Sequence, residues 1–373
     1  MKKRLLTVGL LILCLVLSAC IAKDSNNLFE ITGENPADAT AATIVTTEST
    51  EPIEQSGTNE FNGSEMFEER YQYGNMQKNI PSGGYMLLDN HVIFSLGSKL
   101  YYYNLLSGMV TPFCNDATCT HKDNKCGTLG LSGNLEVSKG KVYALSGKNV
   151  AEYKNGGKEK IAIDGVKSFW HHNDQLYIQT TDMSLIVYDE GTSSHRVVLD
   201  EFVGYWSVIF DNYLYYSYSG IHRINLTDIN PEPELICENV DAITDGNYIY
   251  YVDWTSWKLH RCNMDGSNSV VLVDQPVLAA SMNFDDEYFY YRLYTDQQLY
   301  GNTDCHDVYR FPKDNPTRIE KIITLEEAAY QVFTVPGTGK IFVHTIAAEG
   351  EERPIYVMNT DGSNVAKLEI PEY

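Results

Sequence analysis

An all-β fold, in which four-stranded antiparallel sheets repeat around a ring as the blades of a β-propeller, is expected from three features of the 373-residue chain. Short aromatic and aliphatic runs return at a nearly fixed interval, each bounded by Asp, Asn and Gly. No stretch carries a sustained helical period of apolar residues. The composition agrees: 43% hydrophobic residues allow a sizeable core, and the 27 tyrosines suit a pleated, half-buried surface.

The sharpest copy is DGNYIYYVDWTSWKLHRCNMDGSNSVVLVD, from Asp245 to Asp274. An Asp-Gly turn, a strand through Tyr250, a strand from Leu259 to Cys262, a turn ending at Gly266 and a strand of valines follow in order. Val240 to Thr244 precedes them and makes four strands. Aligned on the turn, Ile93, Tyr143, Tyr177, Tyr215, Tyr250, Tyr290 and Phe342 occupy one position, at intervals of 50, 34, 38, 35, 40 and 52. The next strand opens in turn with Leu100, Val150, Ile186, Ile221, Leu259, Val308 and Ile355. The last runs read MVTPFC, EKIAI, RVVL, PELIC, SVVLV, RIEKII and VAKLEI, and the long intervals hold insertions. Units of about forty residues can bury both sheet faces against their neighbours, as propeller blades do. Seven copies give seven blades, with six and eight left open, and the propeller is assigned to residues 71–373.

The copy from Asp245 resembles the YWTD-type repeat. Tyr250-Tyr251-Val252-Asp253 stands where that motif falls, and Leu259-His260-Arg261 through Gly266 matches its continuation. The other copies keep the aromatic strand and lose the Asp. From about Gly74 to Tyr373, including the lead-in GNMQKNIPSGG, the chain is similar to a propeller domain found in lipoproteins of Gram-positive bacteria and related to TolB-like propellers. That resemblance implies a fold and an envelope location, and it implies no reaction.

At the other end, Lys2, Lys3 and Arg4 precede an apolar run from Leu5 to Leu17, followed by Ser18, Ala19 and Cys20. This order is that of an export signal, assigned to residues 1–19. A permanent membrane span needs about twenty apolar residues, more than this run provides. Leu17-Ser18-Ala19-Cys20 resembles a bacterial lipobox, which implies cleavage before Cys20 and acylation, with palmitate as one acyl group, of that residue. Residues 20–70, rich in Thr, Ser, Glu and Asn, read as a disordered tether, and fifty such residues reach about 40 Å. The expected location is the cell membrane, lipid-anchored and facing outside the cytoplasm.

With 50 acidic against 28 basic residues the net charge is −22, which excludes nucleic acid as a natural partner. Losing Lys2, Lys3 and Arg4 with the signal would take it to −25. No G-x-S-x-G, H-E-x-x-H, P-loop or G-x-G-x-x-G is present, and no catalytic residue is assigned. The expected function is a ligand-binding or protein-interaction scaffold whose partners, besides the membrane, are a cell-surface protein, peptide or glycan. Trp254, Trp257, Tyr294 and Tyr300 are the candidate stacking residues. The alternative is a carbohydrate-active enzyme, a hydrolase or lyase, using carboxylates from different blades. The Asp and Asn clusters at Asp89-Asn90, Asp211-Asn212, Asp245-Gly246 and Asp285-Asp286 recur at one repeat position, and that recurrence points to turn chemistry.

Cys114, Cys119, His121 and Cys126 form C-x4-C-x-H-x4-C between the first two blades. Three thiols and an imidazole can close a structural zinc site, a disulfide can staple the same loop, and an exposed redox-active thiol is the third reading. Cys262 and Cys305 are the two cysteines expected to approach across a blade boundary, and His171-His172 reads as a solvated pair at a turn.

Overall fold

The structure is a computed structural model. It describes residues 84–371, apart from 97, 115–117, 122–125, 127–130, 139, 155–156, 161–163, 174, 205–206, 239, 295–304 and 347–352. The assigned signal, Cys20, the tether, residues 71–83 and Tyr300 lie outside the described residues.

Seven four-stranded antiparallel sheets follow one another along the chain, at residues 85–112, 131–160, 166–199, 207–238, 240–276, 283–324 and 328–367. Each is a meander of consecutive strands, and together they form a seven-bladed β-propeller. The aligned residues Ile93 to Phe342 all fall in second strands, and the pairs beginning at Leu100 to Ile355 all fall in third strands. Among the described residues the single helical turn is Ala279–Ser281, leading into blade 6.

The second strands explain why the apolar runs are unbroken and not alternating. Side chains on a strand point to opposite faces in turn, and here both faces are covered by a neighbouring blade. In His91–Leu96, Ile93 packs toward blade 2 with Leu135, Val142 and Ala144, whereas Val92 and Phe94 pack toward blade 7 with Phe333 and Phe342. Apolar clusters of this kind span all seven blade boundaries.

Polar groups on the inner strands knit the same boundaries. Asn134 Nδ2 donates to Ser168 Oγ at 3.0 Å between blades 2 and 3, and Trp170 Nε1 donates to the Ser207 carbonyl at 3.2 Å between blades 3 and 4. Asn283 Nδ2 donates to the Val332 carbonyl at 3.0 Å between blades 6 and 7.

Farther out, a repeated arginine clamp joins blades 4 to 7. Arg223, Arg261 and Arg310 occupy one third-strand position, opposite Tyr215, Tyr250 and Tyr290. Each guanidinium lies over a tyrosine ring, Tyr213, Tyr248 and Tyr288 respectively. Each also donates Nη1 to a carbonyl in the following blade: Met264, Lys313 and Thr360, at 3.5, 3.3 and 2.7 Å. The Asp-Gly turn of the repeat has a steric reason as well. Gly362 has φ +82°, and a Cβ there would sit 2.2 Å from the Ile322 carbonyl oxygen of the preceding blade.

The ring closes without exchanging strands. Among the described residues, blade 1 is built from the beginning of the propeller and blade 7 from its end, and side chains join them. Tyr85 stacks on Phe94 and Phe342, and its hydroxyl lies 2.6 Å from His344 Nε2. Burial pushes the His344 pKa down to about 4. Because the folded value lies below the ordinary 6.5, His344 contributes stability above pH 6.5 that is lost as pH falls toward 4. The full loss is about 3 kcal/mol. Denaturant titrations at pH 7 and pH 4.5 are expected to show a larger drop for the wild type than for His344→Gln; equal drops would remove this account.

Candidate functional site

Because each blade is a meander in a closed ring, its two ends are distinct. The turns between second and third strands and the crossovers between blades share one face, and the remaining hairpin turns share the other. Both candidate sites lie on the crossover face. The Cys-His loop leaves the fourth strand of blade 1, and the Trp254–Trp257 turn joins the second and third strands of blade 5.

In the first site, the ligand atoms of Cys114, Cys119, His121 and Cys126 lie within 4.8 Å of one another. His121 Nδ1 is 3.4 Å from Cys126 Sγ, and the His121 backbone N–H donates to Cys119 Sγ at 3.4 Å. A tetrahedral ion bound at about 2.0–2.3 Å requires ligand atoms roughly 3.5–3.8 Å apart, so a small contraction would close the site. His121 adopts φ +53°, the left-handed conformation that turns the chain back within two residues of Cys119. The loop is anchored by Phe113, buried between Tyr102 and Tyr153 at ring-centroid distances of 4.5 and 5.9 Å. None of the six described cysteines is in a disulfide. This is the one group of metal-ligating residues among the described residues, and it can hold a metal ion with four protein donors.

The second site is aromatic. Asp253 Oδ1 accepts from the backbone N–H groups of Thr255 and Ser256 and from Ser256 Oγ, at 3.0, 2.7 and 2.9 Å, forming a tight turn. The turn ends on Trp257 at φ +59°, held by bonds from its N–H to the Asp253 carbonyl and from the Val277 N–H to its own carbonyl. Trp257 stacks on Tyr294 of blade 6 at 5.1 Å and 13°. Tyr294 is only 9% exposed, so it does not project as its loop position suggested. Trp254 stands out at 39% exposure, near the carboxyl group of Asp241 on the inner strand Val240–Thr244. Burial raises the Asp241 pKa, and the indole donor partly offsets that rise.

Other sequence expectations are redistributed. His171 and His172 are buried, not solvated. They end the first strand of blade 3, where blade 2 meets His171, and Tyr177 of the same blade as the pair lies against His172. Ser138 Oγ is 2.8 Å from His171 Nδ1, and Glu136 Oε2 accepts from the His171 N–H at 2.5 Å. The recurrent turn acids are occupied with backbone: Asp245 accepts from Asn247 and Tyr248, and Asp285 from Glu287 and Tyr288. Cys262 packs at the boundary of blades 4 and 5 with Cys237. Cys305 instead accepts through its carbonyl from Ala329 of blade 7, so the pairing of Cys262 with Cys305 is replaced by proximity of Cys262 and Cys237.

No protein-family model matches the sequence, and no curated protein matches it. The chain is similar to several solved structures. The computationally designed Ika8 protein is 10% identical over 77% of this chain and 86% of its own, with a TM-score of 0.46. Oligogalacturonate lyase from Vibrio parahaemolyticus is 12% identical over 61% of this chain and 73% of its own, at 0.43. The complex of nidogen and laminin contains a chain 12% identical over 60% of this one and 90% of its own, at 0.40. Likenesses of this size say nothing of activity.

Proposed function

We propose that the protein is a lipid-anchored, extracytoplasmic β-propeller that serves as a binding scaffold at the cell envelope, with a glycan or peptide stacking at its crossover face. Trp254 carries this reading: an exposed ring near the Asp241 carboxyl group, three residues from Trp257, which itself stacks on Tyr294. A large, rigid aromatic surface binds flat apolar faces with little ordering cost. The carboxylate and the net charge of −22 favour hydroxyl-bearing or basic ligands over anionic ones. The glycosidase alternative is less favoured, since the acids that recur from blade to blade, Asp245 and Asp285, are engaged in their own turns.

With the chain from Ile21 onward, an array of envelope glycans and peptides is expected to yield a ligand whose affinity falls at least about tenfold in Trp254→Ala, or roughly 1.4 kcal/mol. Undiminished binding by that variant would move the site elsewhere.

The location rests on residues 1–20, and it predicts that cells fed labelled palmitate will label the full chain but not Cys20→Ala. An unlabelled wild type would reduce the signal to an ordinary one.

The Cys-His group is read as a structural zinc knot, because four protein donors leave no open coordination position for chemistry. Elemental analysis is expected to find one zinc per chain, lost in Cys119→Ser, with the β-sheet circular dichroism retained. A disulfide among Cys114, Cys119 and Cys126 in place of metal would overturn this assignment.

A further inference from the structure

Two cysteines outside the knot occupy facing positions in one seam. Cys237 lies in the fourth strand of blade 4, Glu234–Glu238, opposite Ile221. Cys262 lies in the third strand of blade 5, Lys258–Asn263, opposite Ile249. Along that third strand Leu259 packs toward blade 6 and Arg261 reaches the Lys313 carbonyl there, so alternation turns Cys262 toward blade 4. Ile221, Ile249 and Cys262 belong to the core of one apolar cluster, against which Cys237 packs. Cys262 is buried and Cys237 is half-buried, so Cys237 is the more accessible of the two to a reagent.

We propose that Cys237 and Cys262 are a disulfide-forming pair, converted by an external disulfide into a covalent bridge between blades 4 and 5. The Cys237 thiolate attacks the external disulfide, forming a mixed disulfide and releasing one thiol. The Cys262 thiolate then attacks the Cys237 sulfur and releases the second thiol, so the protein loses two thiol hydrogens and the oxidant becomes two thiols. Burial raises both thiol pKa values, that of Cys262 up to about 12. Formation is therefore slow and quickens with pH. Sulfurs of high pKa are poor leaving groups, so the bridge resists reduction once made. The knot cysteines and Cys305, which lie at other boundaries, take no part.

The test treats the reduced full-length chain with oxidised glutathione, blocks free thiols and maps peptides without reduction. The expected result is the peptide of Cys237 linked to that of Cys262. Recovery of both as blocked thiols, or of Cys237 joined to another cysteine or retained as a glutathione adduct, would overturn the pairing. In Cys262→Ser, glutathione is expected to remain on Cys237; a Cys237 left free there would overturn its assignment as the entry thiol.

Discussion

The fold depends on one constraint: every blade must be covered on both faces, and only another blade can cover it. An isolated four-stranded sheet of these sequences would leave Tyr250, Val252 and Leu259 on one face in water, together with Ala242, Ile249 and Cys262 on the other. Burying a large apolar side chain contributes about 1.5–3 kcal/mol, so each boundary is worth far more than any single hydrogen bond across it. The inner polar contacts and the arginine clamps act within that frame. They fix the angle and height at which neighbouring sheets meet, and the closing boundary between blades 1 and 7 relies on an aromatic stack around Tyr85 in place of a shared strand.

Much of this was legible in sequence because it is periodic. The strand-two column from Ile93 to Phe342 marks the same structural position in seven blades, and one turn copied seven times identifies itself. The four knot ligands were legible for the opposite reason: they lie within thirteen residues, and local spacing alone brings them together. What stayed hidden depends on which face of which neighbour a residue meets. His171 looks like a turn residue until blade 2 supplies Glu136 and Ser138. Cys262 gives no local hint that its partner lies behind it in blade 4 and not ahead of it in blade 6. The Tyr294 loop position suggested exposure, but stacking with Trp257 from the adjacent blade buried it.

The crossover face carries the departures from the repeat. Its aromatic turn lies at the blade 5 to blade 6 boundary, across the ring from the Cys-His loop between blades 1 and 2. Among the described hairpin turns on the opposite face, an Asp side chain satisfies successive backbone N–H groups at Asp245 and Asp285, and one N–H with a serine hydroxyl at Asp265 and Asp361. Specialisation is thus confined to segments that no blade needs for its own hydrogen bonding, which is where a sheet scaffold tolerates chemical variation.

A ring whose sheets each come from one uninterrupted stretch of chain also has no privileged starting point. The contact between Tyr85 and His344 spans 259 residues, so this boundary has the largest loop to close and is the natural last step of assembly. The same topology makes the propeller a candidate for circular permutation. Opening the chain at another crossover and linking residue 371 to residue 84 would move the late boundary around the ring while leaving all seven sheets with their own four strands. Cyclic order, and not terminal position, is what the architecture encodes.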